Sequence, residues 1–189
     1  EPLPKIMNHI IPIDKGNIMM RIYYPSETKF LPVLLYFHPG SFVKGDINSH
    51  DPVCKSLTHA TGCIVISINY PLAPENPFPE AIEQLKEVFH WITSHCKELH
   101  CDGRIAIGGE DSGGNLAAVL TQELRNESYS NISFQILIYP QLDLTCSSLS
   151  HKEFEKGFLL EKNAIEWYIK QYLGESGNPK DPRASPLLN

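Results

Sequence analysis

The sequence predicts an α/β protein with a largely parallel central sheet and helices on both faces. Three observations lead there. Short β-branched or apolar stretches recur at 18–24, 32–37, 63–69, 104–108 and 134–139, each of strand length. Between them lie segments whose apolar residues repeat at helical spacing. Hydrophobic residues make up 42% of the 189-residue chain, which suits one sizeable core and a single domain over 1–189.

At the N-terminus, 8–13 and 18–24 read as an antiparallel hairpin. Phe78, Ala81, Ile82, Leu85, Val88, Phe89 and Ile92 share one helical face, as do Leu116, Val119, Leu120 and Leu124. A third helix is expected over 159–173, and the Gly/Pro-rich stretch 174–186 reads as a loop. Strands alternating with helices of this length need crossover connections, hence parallel pairing. In such sheets a ligand sits off the carboxyl ends of the strands.

A formal charge of −6 and no basic stripe argue against a nucleic-acid partner and favour action on neutral or apolar molecules. Apolar runs such as 33–37 and 63–66 fall far short of the roughly 20 residues of a membrane span. The first residues do not read as a secretory signal. Five cysteines, an odd number without framework spacing, favour reduced thiols and a cytoplasmic setting. On that basis the sequons at Asn126 and Asn131 read as chance. Self-association into a homo-oligomer is left open.

Two strand ends carry residues suited to acyl transfer. His38-Pro39-Gly40-Ser41-Phe42 follows the strand ending at Phe37, and a small-residue turn there can aim backbone N–H groups at a developing oxyanion. Gly108-Gly109-Glu110-Asp111-Ser112-Gly113-Gly114-Asn115-Leu116 follows a strand and opens a helix, the setting of a nucleophile elbow. Each segment alone is also compatible with an ordinary turn or close packing.

Together they resemble the hormone-sensitive-lipase-like, or bacterial family IV, esterases of the α/β-hydrolase fold. The oxyanion motif H-G-G-G-[FYW] of that family matches His38 to Phe42, and its Y-R-L-A-P-E…F-P segment matches Tyr70-Pro71-Leu72-Ala73-Pro74-Glu75 with Phe78-Pro79. Its elbow aligns without a gap from Arg104 to Ala118, and Asp181-Pro182-Arg183-Ala184-Ser185-Pro186-Leu187 continues the likeness. The resemblance implies a carboxylic ester hydrolase acting on small acyl esters without cofactor or metal. Oxyanion N–H groups would come from Gly40, Ser41 and Ser112.

The departures bear on the chemistry. Asp111 stands at the position of the family's nucleophilic serine, Glu110 replaces the preceding acid and Ser112 the following alanine. Carboxylate attack on an ester would give an anhydride, so Asp111 suits displacement at a saturated carbon better. It could also fill the oxyanion site with its own charge, and impaired esterolysis is the expectation. Ser112 is a weak alternative nucleophile; as a helix cap whose N–H serves the oxyanion it reads better. The resemblance further implies that the cap and the closing segment bearing the triad acid and histidine lie largely outside this chain, so that it reads either as a hydrolase core truncated at its C-terminal end or as a protein that cannot assemble a Ser–His–Asp triad. His151 alone among eight histidines follows the elbow, and Asp143 follows a strand where some related folds put their acid; both read better as ordinary loop residues. His95-Cys96 and His100-Cys101 match no zinc spacing. Glu75 and Glu83 have no reason to pair at the strand ends. A non-catalytic binding protein on the same scaffold and an Asp-nucleophile hydrolase are the alternatives.

Overall fold

The computed structural model describes residues 2–127 and 132–189. Its strands are β1 (Lys5–Ile13), β2 (Gly16–Tyr24), β3 (Leu31–Phe37), β4 (Ile64–Ile68), β5 (Cys101–Glu110) and β6 (Ile132–Ile138). They form one sheet in the order β1-β2-β4-β3-β5-β6. The hairpin β1–β2 is antiparallel and joins β4 antiparallel, while β4, β3, β5 and β6 run parallel.

The parallel strands are joined by α1 (Asp51–Thr61), α2 (Glu80–Ser94) and α3 (Ser112–Asn126). After β6 come the short α4 (Leu149–Glu153), then α5 (Lys162–Leu173) and a 3₁₀ turn at Pro186–Leu188. The helix expected from 159 starts three residues later, and 174–185 is irregular as expected.

Side-chain alternation sorts the core into two layers. Val33, Leu35, Phe37, Ile64 and Ile66 point to the face covered by Leu85, Phe89 and Ile92 of α2 and by Leu116, Val119 and Leu120 of α3. Leu34, Tyr36, Val65 and Tyr23 point the other way, toward Cys54 of α1. Both faces of the central strands are therefore buried, which is why 33–37 and 63–66 read as continuous apolar runs. Coverage of the α1 face is partial: an apolar groove of about 300 Å³, lined by Leu34, Cys63, Ala106, Phe134 and Ile136, opens beside it.

β5 is longer than the apolar stretch predicts and carries Gly108, Gly109 and Glu110 as strand residues. The turn is thus confined to Asp111, and the carboxyl ends of β3 and β5 lie side by side, Phe37 opposite Gly109. Asn131 lies outside the described residues. Among the described residues no helix is long and apolar enough to cross a membrane.

Candidate active site

Asp111 sits at the apex between β5 and α3 with φ 53° and ψ −119°, a conformation that costs a non-glycine residue on the order of 1–3 kcal/mol. The apex is held from three sides. Asp111 N–H donates to the Ile138 carbonyl at 3.0 Å, and its own carbonyl accepts from Asn115 N–H at 3.1 Å and Gln141 N–H at 3.3 Å. The flanking glycines serve a purpose other than φ. A Cβ on Gly113 would stand 2.1 Å from the Phe37 carbonyl oxygen, and one on Gly109 2.5 Å from Gly113 backbone. They let α3 approach the end of β3, while the strained dihedral falls on Asp111 itself.

The facing turn after β3 runs through three residues of positive φ: Gly40 at 139°, Ser41 at 52° and Phe42 at 66°. Such a succession turns neighbouring N–H groups toward one point. Gly40 is required sterically as well, because a Cβ there would lie 1.9 Å from the Lys44 carbonyl oxygen. Phe42 anchors the turn, fully buried and stacked on Tyr172 at 3.7 Å between ring centroids. Its carbonyl accepts from Ala73 N–H at 3.0 Å, which ties in the Pro71–Pro74 segment. His38, also buried, stacks on Tyr70 at 4.3 Å, and its carbonyl accepts the Tyr70 hydroxyl at 2.7 Å. Burial holds the His38 imidazole below its usual pKa.

The two turns meet at one carboxylate oxygen. Asp111 Oδ2 accepts the Ser41 N–H at 2.8 Å and the Gly40 N–H at 3.1 Å, with the Ser41 hydroxyl at 3.4 Å. The structure thus brings Gly40, Ser41 and Asp111 together. Ser112 departs from expectation. Asp111, not Ser112, occupies the cap position of α3, without a side-chain capping bond. Ser112 is wholly buried, and its hydroxyl finds no hydrogen-bond partner among the described residues. Among the described residues its N–H makes no bond to the Asp111 carboxylate. The Ser112 hydroxyl is therefore not presented to a ligand.

Sequence reasoning missed a cluster around Glu110. This carboxylate, 8% exposed, accepts the Tyr36 hydroxyl at 2.6 Å and also the Tyr139 hydroxyl, and faces His50 Nε2 at 3.5 Å. Burial and then Glu110 push the Tyr36 phenol upward, and the hydrogen bond to Glu110 pushes Tyr139 up to about 12. Four residues from separate parts of the chain thereby fix the strand end on which Asp111 turns. The acidic residue before the apex was visible, but its three partners carry no local signal.

The remaining candidates are spread apart. Asp143 is self-contained in the loop after β6, accepting Thr145 N–H at 2.8 Å, the Thr145 hydroxyl at 2.6 Å and the Ser147 hydroxyl at 2.8 Å. His151 Nδ1 engages the Ser148 hydroxyl at 2.7 Å. His95 stacks on Trp91 and His100 packs against Phe30. No metal-binding cluster of three or more His, Cys, Asp or Glu exists among the described residues. Glu75 is exposed, and Glu83 pairs with Arg183 at 3.2 Å. Asn115, unremarked in the sequence, binds α3 to two loops through the carbonyls of Gln141 at 2.7 Å and Ala184 at 2.8 Å.

A family profile described as alpha/beta hydrolase fold matches residues 34–189. The chain belongs to that family. Its relatives include the carboxylic ester hydrolase LipN of Mycobacterium tuberculosis, 40% identical over 94% of this chain and 49% of LipN. The ethyl acetate hydrolase of Pseudomonas putida is 33% identical over 93% of this chain and 57% of its own length. Among solved structures, a hyperthermophilic esterase from Pyrobaculum calidifontis superposes with a TM-score of 0.95 at 35% identity, covering 100% of this chain and 63% of that one. The metagenomic carboxylesterase EstE1 gives 0.96 at 37% identity, covering 100% and 66%. The chain spans about half the length of the curated relatives it matches.

Proposed function

We propose that this α/β hydrolase is built on a scaffold for hydrolysing small acyl esters without a cofactor, and that the chain itself turns them over poorly because Asp111 occupies the oxyanion donors. The supporting observation is the contact of Asp111 Oδ2 with the N–H groups of Ser41 and Gly40. In an ester hydrolase such donors stabilise charge that appears on the substrate carbonyl oxygen in the transition state. Here the Asp111 carboxylate takes them first, and an incoming oxyanion would meet donors already occupied. No described histidine stands against the Asp111 carboxylate to act as general base. The carboxylic ester hydrolase and the ethyl acetate hydrolase among its relatives suggest the substrate class. Initial rates on p-nitrophenyl acetate test this reading: the chain should show little or no turnover and no more than its Asp111→Ala variant, and a substantial rate abolished by that substitution would overturn it.

A second reading rests on the other carboxylate oxygen. With Oδ2 held by the amides, Oδ1 has no hydrogen-bond partner among the described residues and could displace a leaving group from a saturated carbon. That reading requires a covalent ester on Asp111 after incubation with a haloalkane or epoxide, detectable as added mass on the peptide containing residue 111.

A further inference from the structure

The connection from α2 into β5 ends in a backbone arrangement with an unusual choice of side chains. After Ser94 the chain continues as helical turns, with Leu99 N–H donating to the His95 carbonyl at 3.1 Å. Cys101 N–H then reaches back to the Cys96 carbonyl at 2.8 Å and His100 N–H to the Lys97 carbonyl at 3.1 Å, with His100 left-handed at φ 56°. This paired set of bonds is a Schellman motif, which brings the side chains of its first and sixth residues into contact, most often as two apolar groups. Here both are cysteines.

We propose that Cys96 and Cys101 form a dithiol that an external disulfide closes to an intramolecular disulfide, making the junction of α2 and β5 a reversible redox modification site. A disulfide needs Cα atoms roughly 4.4–6.8 Å apart, a separation that a direct backbone bond between the same two residues imposes. The two sulfurs differ in access: Cys96 is partly exposed and Cys101 is 4% exposed. Burial, with the adjacent Cys96 sulfur, pushes the Cys101 thiol up to about 12, and Gly103 N–H lies 3.2 Å from its sulfur. The order of events follows from access. The Cys96 thiolate attacks a sulfur of the oxidant disulfide and expels one thiolate. The Cys101 thiol then loses its proton to that thiolate or to water, attacks Cys96 Sγ and expels the second. Two protein thiols and one external disulfide become one protein disulfide and two external thiols. The flanking histidines do not compete for the pair as metal ligands, since His95 lies on Trp91 at 4.1 Å and His100 on Phe30 at 5.4 Å. The site is at the opening residue of β5, at the end of the strand remote from Asp111.

The purified chain, incubated in glutathione buffers of rising oxidised fraction, then alkylated and analysed by intact and peptide mass, tests this. Two of the five free thiols should disappear together, with a loss of about 2 Da and a linked peptide joining 96 to 101 that dithiothreitol reverses. The Cys101→Ser variant should stop at a glutathione adduct on Cys96, and Cys96→Ser should carry none on Cys101. Five alkylatable thiols in a buffer that oxidises dithiothreitol would overturn the proposal. So would a bond joining another pair, or a glutathione adduct on Cys96 of the unmodified sequence that never resolves.

Discussion

Asp111 combines a costly backbone conformation with a side chain whose charge is met by two backbone amides, and the residues around it tolerate little change. Gly113 shows this most sharply, because its missing side chain is what lets α3 touch the end of β3. Gly113→Ala should destabilise the protein by about 3 kcal/mol or more, since the added methyl meets rigid backbone. The urea midpoint measures that loss, and a variant within about 0.5 kcal/mol of the parent would show that the two turns can separate freely. At this scale the sequence was informative about identity and less so about role. The glycines at 109 and 113 were legible as an elbow, but their use in close approach rather than positive φ depends on Phe37, more than 70 positions away. Ser112 reads as a cap from its place before a helix, yet the apex residue already holds the cap position, and one residue further on the side chain turns into the core.

The elements are held to the site by buried polar contacts that leave no periodic trace. Asn115 is the connector of α3, the loop after β6 and the 179–188 segment. Asn115→Ala leaves two carbonyls without their donor and should cost about 1–3 kcal/mol; protease cleavage near Ala184 at lower urea would report the released loop, and unchanged cleavage would argue against the connection. Asp143 illustrates the acid side of stability. Burial raises its pKa, but the Thr145 and Ser147 hydroxyls and N–H groups outweigh this and hold the carboxyl below its usual value. A depressed folded pKa gives stability that is present above the unfolded value near 3.8 and lost as pH falls through the folded one. Asp143→Asn should therefore lower stability at neutral pH and flatten its fall below about pH 4, as thermal unfolding at several pH values would show; an acid limb as steep as the parent's would count against it. Strands and amphipathic helices were readable because their burial repeats. α1 was not, since only Cys54 and Thr58 of it are fully buried and its start and stop rest on Pro52 and Gly62. The network of Tyr36, His50, Glu110 and Tyr139 was invisible for a related reason: its members come from four separate places in the chain.

For the whole molecule, the parallel sheet places the ends of β3 and β5 together, and that adjacency turns two separate motifs into one site. Crossover connections predicted it from the sequence alone, along with the antiparallel hairpin at β1 and β2. What the pattern could not supply was the distance between Asp111 and the amides of residues 40 and 41, on which the reading of an occupied, poorly active site depends. The most direct measurement follows those two amide protons by NMR in the chain and in Asp111→Ala. With the carboxylate as their acceptor, both resonances should lie downfield in the parent, move upfield together in the variant and exchange faster with solvent. Resonances of Gly40 and Ser41 that stay in place when the carboxylate is removed would contradict the account.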